Sequence, residues 1–178
     1  MQSSSDSEFN SLPQLTHSPN LQKVLDRLTG SIKRDDLVQQ TTNQLRDSLH
    51  VDRVVLYYFY QRWKGQVTFE SLSSPEFSIY GSTGPDECFN GDYAQMYLEG
   101  RVRAISDIET EPIAPCHREF LHDLQVRANL VVPILTPKGL WGLLVAHHGS
   151  IRPWPYYDIE QMKLGAKTLA MAPSIRES

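Results

Sequence analysis

The chain has 178 residues, of which 17 are Lys or Arg and 21 are Asp or Glu, so its formal net charge is −4. This acidic balance excludes the cation excess that drives general binding to nucleic acid or to anionic membranes. Hydrophobic residues make up 40% and charged residues 21%, which is typical of a folded domain. The sequence contains no apolar run of the ~20 residues that a membrane helix needs, and its start lacks the basic and apolar regions of a secretory signal. We therefore expect one cytoplasmic domain.

The first half of the chain predicts two helices and two strands. Polar residues 1–18 indicate a flexible linker, and a domain is expected over residues 19–173. Apolar residues at helical spacing predict a helix that Gly30 ends, and a second helix that Asp35 or Asp36 caps. Strands are predicted over residues 54–59 and 66–72, with a turn at residues 64–65 between them.

The second half predicts two loop-rich inserts around a further strand and a hairpin. Short helices are expected at residues 92–99 and 116–124, and a strand at 101–108. Hairpin strands are predicted at 129–135 and 140–147, followed by a helix at 158–171 and a linker toward an effector at 174–178. The pattern is α+β: an antiparallel central sheet with helices on one face. We expect the two inserts, residues 73–100 and 109–125, to wall a cavity on the other face.

Each insert carries one of the two cysteines, Cys88 and Cys116. The chain has no Cys-x-x-Cys pair, so the strong zinc and thioredoxin patterns are absent. In a reducing compartment we do not expect a structural disulfide. From the residues alone, two partly buried and inert thiols are the ordinary interpretation.

Three sequence motifs, which occur in a fixed order along the chain, indicate a more specific function for the cysteines. Residues 86–89 fit an Asp-x-Cys-Phe motif, and Cys116-His117 fits a bilin-attachment pair. Residues 127–133 and 141–147 fit the hairpin that follows that pair. Together they resemble the cyanobacteriochromes, phytochrome-related photoreceptor GAF domains, in their two-cysteine Asp-x-Cys-Phe subgroup. The resemblance covers roughly residues 20–172, and the cysteine spacing, 116 − 88 = 28, makes it specific.

The resemblance implies a bilin cofactor, a linear tetrapyrrole of the phycocyanobilin or phycoviolobilin type. It implies that Cys116 forms the permanent thioether and that Cys88 forms a second, reversible one that shortens the conjugated system. Light then switches the domain between a blue-absorbing state and a green-, teal- or orange-absorbing state. The resemblance also implies that Asp86 contacts the pyrrole nitrogens and favours phycoviolobilin.

Five further residues are implied to line the bilin pocket. His117 would stack on the bilin or hydrogen-bond to it, Arg101 would bind a propionate, and His147 would lie near ring D or its carbonyl. Phe89 and Tyr93 would complete the wall, although Tyr93 stands where well-known members have Trp, which leaves the colour open. From the residues alone, solvated or structural side chains are the ordinary interpretation of His117, Arg101 and His147.

The resemblance also implies how the domain works in a longer protein. Such domains lie upstream of a histidine kinase, a diguanylate cyclase or a chemotaxis-type module, and are expected to form parallel homodimers. No enzymatic activity beyond autocatalytic bilin attachment is expected in this chain. Subgroups with one cysteine and a Glu–Lys proton switch are excluded, because Ile134 stands where that Lys is expected.

Three alternatives remain at this point. A GAF domain can bind a cyclic nucleotide or serve as a dimerisation module without a pigment. A cysteine hydrolase would pair Cys116 with His147, but no orienting Asn or Asp motif is identifiable. A zinc site would need both cysteines and two histidines at an irregular spacing.

Overall fold

The structure, a computed structural model, describes residues 19–61, 64–84 and 91–178, without the side chains of residues 91–93. Five strands form one antiparallel sheet in the order β2-β1-β5-β4-β3: β1 (Arg53–Gln61), β2 (Lys64–Leu72), β3 (Arg103–Ile105), β4 (Ala128–Thr136) and β5 (Gly139–His148). The helices are α1 (Pro19–Lys33), α2 (Asp36–Leu49), α3 (Gly91–Leu98), α4 (Pro115–Asp123), α5 (Tyr156–Ala170) and α6 (Pro173–Arg176). Within these described ranges, no helix has the length and apolarity to cross a bilayer.

The predicted fold class, an antiparallel sheet with helices, is confirmed, while several element boundaries differ. The first helix runs through Gly30 to Lys33, and the third strand pairs only over Arg103–Ile105. The predicted turn at residues 64–65 lies inside β2. A Cβ at Gly65 would stand 2.2 Å from the Tyr58 carbonyl oxygen, so the glycine is needed for close approach of two strands and not for a turn.

The two faces of the sheet bury different partners because alternate residues of a strand point to opposite sides. One face packs against α1, α2 and α5 and forms the main core, which includes Val54, Leu56, Leu130, Val132, Leu144, Ala146 and Met162. The opposite face carries a smaller apolar cluster that includes Val55, Val67, Val131, Leu143 and Val145. Helices α1, α2 and α5 therefore leave this second face uncovered.

Asp35 links the start of α2 to the end of the chain. One carboxylate oxygen accepts a hydrogen bond from the Leu37 backbone N–H at 3.1 Å, and the other accepts from the Ser174 N–H at 3.0 Å and hydroxyl at 2.7 Å. Burial raises the pKa of Asp35, but the hydrogen bonds outweigh it and the net pKa is lowered. The last residues, which the sequence predicts as linker, are packed: Ile175 is fully buried and the Trp141 indole N–H donates to the Ser178 hydroxyl at 2.7 Å.

Replacing Asp35 with Ala should lower the free energy of unfolding by about 1 kcal/mol or more, since it removes a helix cap together with the bonds to Ser174. Asp36→Ala, one residue further on, is the matched control and should cost less because Asp35 provides the cap. Urea unfolding of both variants measures the difference. Equal losses would show that the cap does not lie at Asp35.

Candidate functional site

The second face of the sheet forms the floor of a cavity of about 240 Å³, partly open to solvent. The floor is the apolar cluster on β1, β2, β4 and β5. The walls come from the loop after β2, from α3, from the segment before α4 and from α4 itself. They include Ile79, Ser82, Gly84, Tyr97, Pro112, Ile113, Ala114, Phe120, Leu121 and Leu124. The cavity thus lies between the sheet and the two loop-rich inserts.

Hydrogen bonds from side chains attach these walls to the rest of the domain. The Tyr57 hydroxyl donates to the Gly65 carbonyl at 2.9 Å and accepts from the Gly84 N–H at 2.7 Å. A Cβ at Gly84 would come within 2.6 Å of that hydroxyl, so any larger residue would have to displace the Tyr57 side chain. The Arg118 guanidinium donates to the carbonyls of Ile108 and Glu111, which holds α4 against the segment that precedes it.

Three polar side chains lie side by side at one end of the strands, on the sheet face that carries the cavity, and are called here the polar row: Arg53, His147 and Asn129. They are direct partners in register, Arg53 opposite His147 and Asn129 opposite His147. Arg53 is 2% exposed, and its Nε–H donates to His147 Nδ1 at 3.0 Å. Burial and then the positive charge of Arg53 hold the pKa of His147 well below its usual range. The imidazole is therefore neutral.

Asn129 is 3% exposed, lines the cavity, and has a buried Oδ1 with no hydrogen-bond partner among the described residues. Buried polar atoms nearly always have a partner, and leaving one unpaired costs free energy. The Asn129 amide is therefore incompletely satisfied, and because its Oδ1 has almost no accessible surface, a molecule in the cavity could pair with that oxygen only after a local side-chain shift.

One side of the cavity is cationic. Arg101 and Arg103 both line it, and His117 lies on the first turns of α4 beside them. The Arg103 guanidinium pairs with Glu111 at 3.7 Å, and the Arg101 guanidinium lies 5.9 Å from the Tyr97 ring centroid. Burial, followed by the charge of Arg103, lowers the pKa of His117. Two guanidinium groups at a cavity edge suit carboxylate groups.

The structure brings part of the predicted site together. His117, Arg101 and His147 line the cavity, and Cys116 lies between two lining residues, Ala114 and His117, with an exposed side chain. The expectation about a disulfide involves Cys88 as well as Cys116, and it therefore lies outside the described residues.

Four predicted residues have no described side chain. Asp86, Cys88 and Phe89 lie outside the described residues, and Tyr93 lies in α3 without a described side chain. Among the residues that are described, no group of three His, Cys, Asp or Glu side chains converges as metal ligands.

Sequence reasoning missed four residues that shape the cavity: Arg53, Tyr57, Arg103 and Asn129. For two of these residues, Arg53 and Asn129, the sequence contained a pattern from which their position could have been predicted. The period-2 alternation of β1 and β4 places Arg53 on the face of Val55 and Asn129 on the face of Val131. Reading polar residues by strand face would therefore have found both.

Replacing Asn129 with Leu should raise the free energy of unfolding of the ligand-free domain by about 1 kcal/mol, because a buried acceptor without a partner is removed at similar side-chain volume. The same change should weaken ligand binding. Urea unfolding of both proteins measures the first effect. A loss of stability on removing the amide would show that its Oδ1 is satisfied in the ligand-free protein.

Stability should fall as the pH drops below about 6.5, where an unfolded histidine gains a proton that folded His147 does not. The sign follows from the lowered pKa of His147, with His117 acting in the same direction. His147→Gln should flatten the pH dependence by up to about 1.4 kcal/mol per pH unit. Urea midpoints measured on both sides of neutrality test this, and an unchanged slope in the variant would contradict it.

Comparison with known proteins identifies a family and several relatives of this chain. The family model described as GAF domain matches residues 33–172. An uncharacterised protein of Picosynechococcus sp. is 54% identical over 151 residues, which cover 85% of this chain and 93% of that protein. The circadian input-output histidine kinase CikA of Synechocystis sp. is 31% identical, over 89% of this chain but only 24% of the kinase.

Solved structures agree in fold. The cyanobacteriochrome receptor PixJ is 30% identical with a TM-score of 0.71, over 83% of this chain and 95% of that one. The phycoerythrobilin-bound GAF domain of a cyanobacterial phytochrome is 29% identical with a TM-score of 0.71, over 90% of this chain and 98% of that one.

Proposed function

Because the chain belongs to the GAF domain family, we propose that its cavity binds a linear tetrapyrrole and that the domain is a photoreceptor module. The observation that carries the proposal is the combination of an apolar floor, the polar row and a cationic edge in one cavity. The structural similarity to a bilin-bound GAF domain supports the same ligand class.

Each part of the cavity suits a different part of a bilin. Pyrrole N–H groups need acceptors when they are buried, and the amide of Asn129 on the cavity face is a candidate group for them. Propionate groups suit Arg101 and Arg103 at the cationic edge. The cavity of about 240 Å³ is below the usual range of about 300–1,000 Å³ for organic ligands, so we expect part of the bilin to lie in the open mouth.

We propose that Cys116 forms the permanent linkage. Its thiol would add across the exocyclic double bond of ring A: the sulfur–carbon bond forms, the thiol proton ends on the neighbouring carbon, and no oxidant is needed. The position of Cys116 on the first turn of α4 favours the thiolate, because a helix N-terminus stabilises negative charge.

The photochemistry would come from the bilin, whose double bond between rings C and D isomerises in light. We propose phycocyanobilin or phycoviolobilin as the pigment and Cys88 as the second, reversible linkage, with a blue-absorbing and a green-, teal- or orange-absorbing state. Asp86, Phe89 and Tyr93 are proposed pocket residues by resemblance. His147 would donate a hydrogen bond to a bilin carbonyl.

The proposed output is conformational, in the cytoplasm, and passes to a downstream kinase, cyclase or chemotaxis-type module, with a parallel homodimer as the assembled form. The similarity to CikA, a histidine kinase of which this chain spans 24%, supports a signalling context. A hydrolase that pairs Cys116 with His147 is disfavoured. His147 Nδ1 already accepts from Arg53, and its lowered pKa makes it a weak general base.

Expression in cells that make phycocyanobilin, followed by purification under reducing conditions, tests the proposal. We expect a coloured protein whose absorption shifts reversibly on blue illumination. Cys88→Ala should keep the pigment and lose the blue-absorbing state. Cys116→Ala should lose pigment that survives a denaturing gel.

The result that would contradict this function is a folded wild-type protein that stays colourless when the bilin is plentiful. A folded and colourless domain would instead support a GAF module that binds another ligand or serves in dimerisation. Pigment retained on a denaturing gel by Cys116→Ala would overturn the assignment of the permanent linkage.

A further inference from the structure

We propose that Arg53 is a positioning residue that fixes His147 in the tautomer with its proton on Nε2, so that the cavity is offered a permanent N–H donor. The assignment of this tautomer depends only on the geometry of the polar row. The further statement that the Nε2–H group donates to a bilin carbonyl depends on the proposed function.

The hydrogen bond between the two side chains has only one direction. A guanidinium carries a proton on Nε at all physiological pH values and has no acceptor atom. The Nε–H of Arg53 lies 3.0 Å from His147 Nδ1, so Nδ1 must present its lone pair. A neutral imidazole carries its single proton on the other nitrogen, which is Nε2.

Arg53 can act in this way because it is held by backbone groups. Its two remaining nitrogens donate to the carbonyls of Phe77 at 2.9 Å and Leu124 at 2.6 Å. Arg53 is 2% exposed and is not among the described residues that line the cavity, whereas His147 is. Any effect of Arg53 on a molecule in the cavity therefore passes through His147.

Both departures from this tautomer are unfavourable. Moving the proton to Nδ1 would bring two N–H groups face to face at hydrogen-bond distance and leave a donor unsatisfied. Adding a second proton would place an imidazolium against a buried guanidinium, and burial and the Arg53 charge both oppose that, as the lowered pKa of His147 shows.

Two carboxylates partly offset the charge of Arg53. Burial lowers the pKa of Arg53, while the charges of Glu70 and then Asp52 raise it. From the side of the cavity, the lining groups with ionisable side chains besides His147 are Arg101, Arg103, His117, Tyr57 and Tyr97. His148, the next residue, faces Asp52 at 3.6 Å instead.

The consequence is a fixed donor in the polar row. His147 offers an N–H through Nε2, beside the amide of its neighbour in register, Asn129. A His147 without Arg53 would be free to change tautomer or to gain a proton, and the site would then present a different pattern to its ligand.

The test combines nitrogen NMR of histidine-labelled protein with absorption spectra of the bilin-loaded domain across about pH 5–8, the range in which histidine titrates. His147→Gln identifies the His147 signals. We expect wild-type His147 to show the Nε2–H tautomer over this whole range. In Arg53→Met, which removes the positive charge and the Nε–H donor, the Nδ1–H tautomer of His147 should become populated and the pKa of His147 should rise, although burial still opposes the charged form. Arg53→Lys keeps the charge and should show a smaller change.

Arg152→Met is the matched control. Arg152 donates to the Leu49 carbonyl and pairs with Asp158, both at 2.7 Å, and it does not line the cavity. Its loss should lower the melting temperature without altering the His147 signals or the spectral pH profile.

Each outcome either supports or overturns the proposed role of Arg53. A wild-type His147 protonated on Nδ1, or cationic near neutral pH, overturns the proposal even if no Arg53 variant folds. An unchanged tautomer and pH profile in Arg53→Met also overturns it. A colourless protein contradicts the proposed function instead, because the NMR signals of His147 still report the tautomer.

Discussion

The buried guanidinium of Arg53 is the interaction on which the site depends most. Its hydrogen bonds reach three separate parts of the fold: His147 on β5, the turn at Phe77, and the end of α4 at Leu124. Phe77 and Leu124 belong to the two inserts that wall the cavity. One side chain on β1 therefore anchors both walls to the same row of the sheet. Burying a charge is costly unless its donors are satisfied, which is why these carbonyl partners matter.

The cavity can form because the two faces of the sheet have different roles: one packs against helices, and the other forms the cavity floor. The helices α1, α2 and α5 cover one face with a large apolar core, and this core supplies the stability of the domain. The other face can then tolerate an open floor, an unpaired amide at Asn129 and a neutral buried imidazole at His147. β5 serves both purposes, since Leu144 faces the helices and Leu143 faces the cavity.

The hydrophobic periodicity was enough to predict the α+β class, the antiparallel hairpin and the face on which a cavity would form. It could not find the length of β3, because a three-residue pairing has little periodicity of its own. The site was predictable where a motif carried it, as at His117 and His147. Arg53 and Asn129 were missed because their role depends on cross-strand register, which brings residues 53, 129 and 147 together from distant parts of the chain.

The packing of the last residues sets where this domain can be joined to another protein. Ile175 has no exposed surface and belongs to the same core as Leu28 and Ile32, while Ser178 is hydrogen-bonded to Trp141 on β5. A chimaera spliced ahead of Ile175 would open a hole in the core. A splice after Ser178 would leave Ile175 in the core and keep the hydrogen bond between Ser178 and Trp141 on β5.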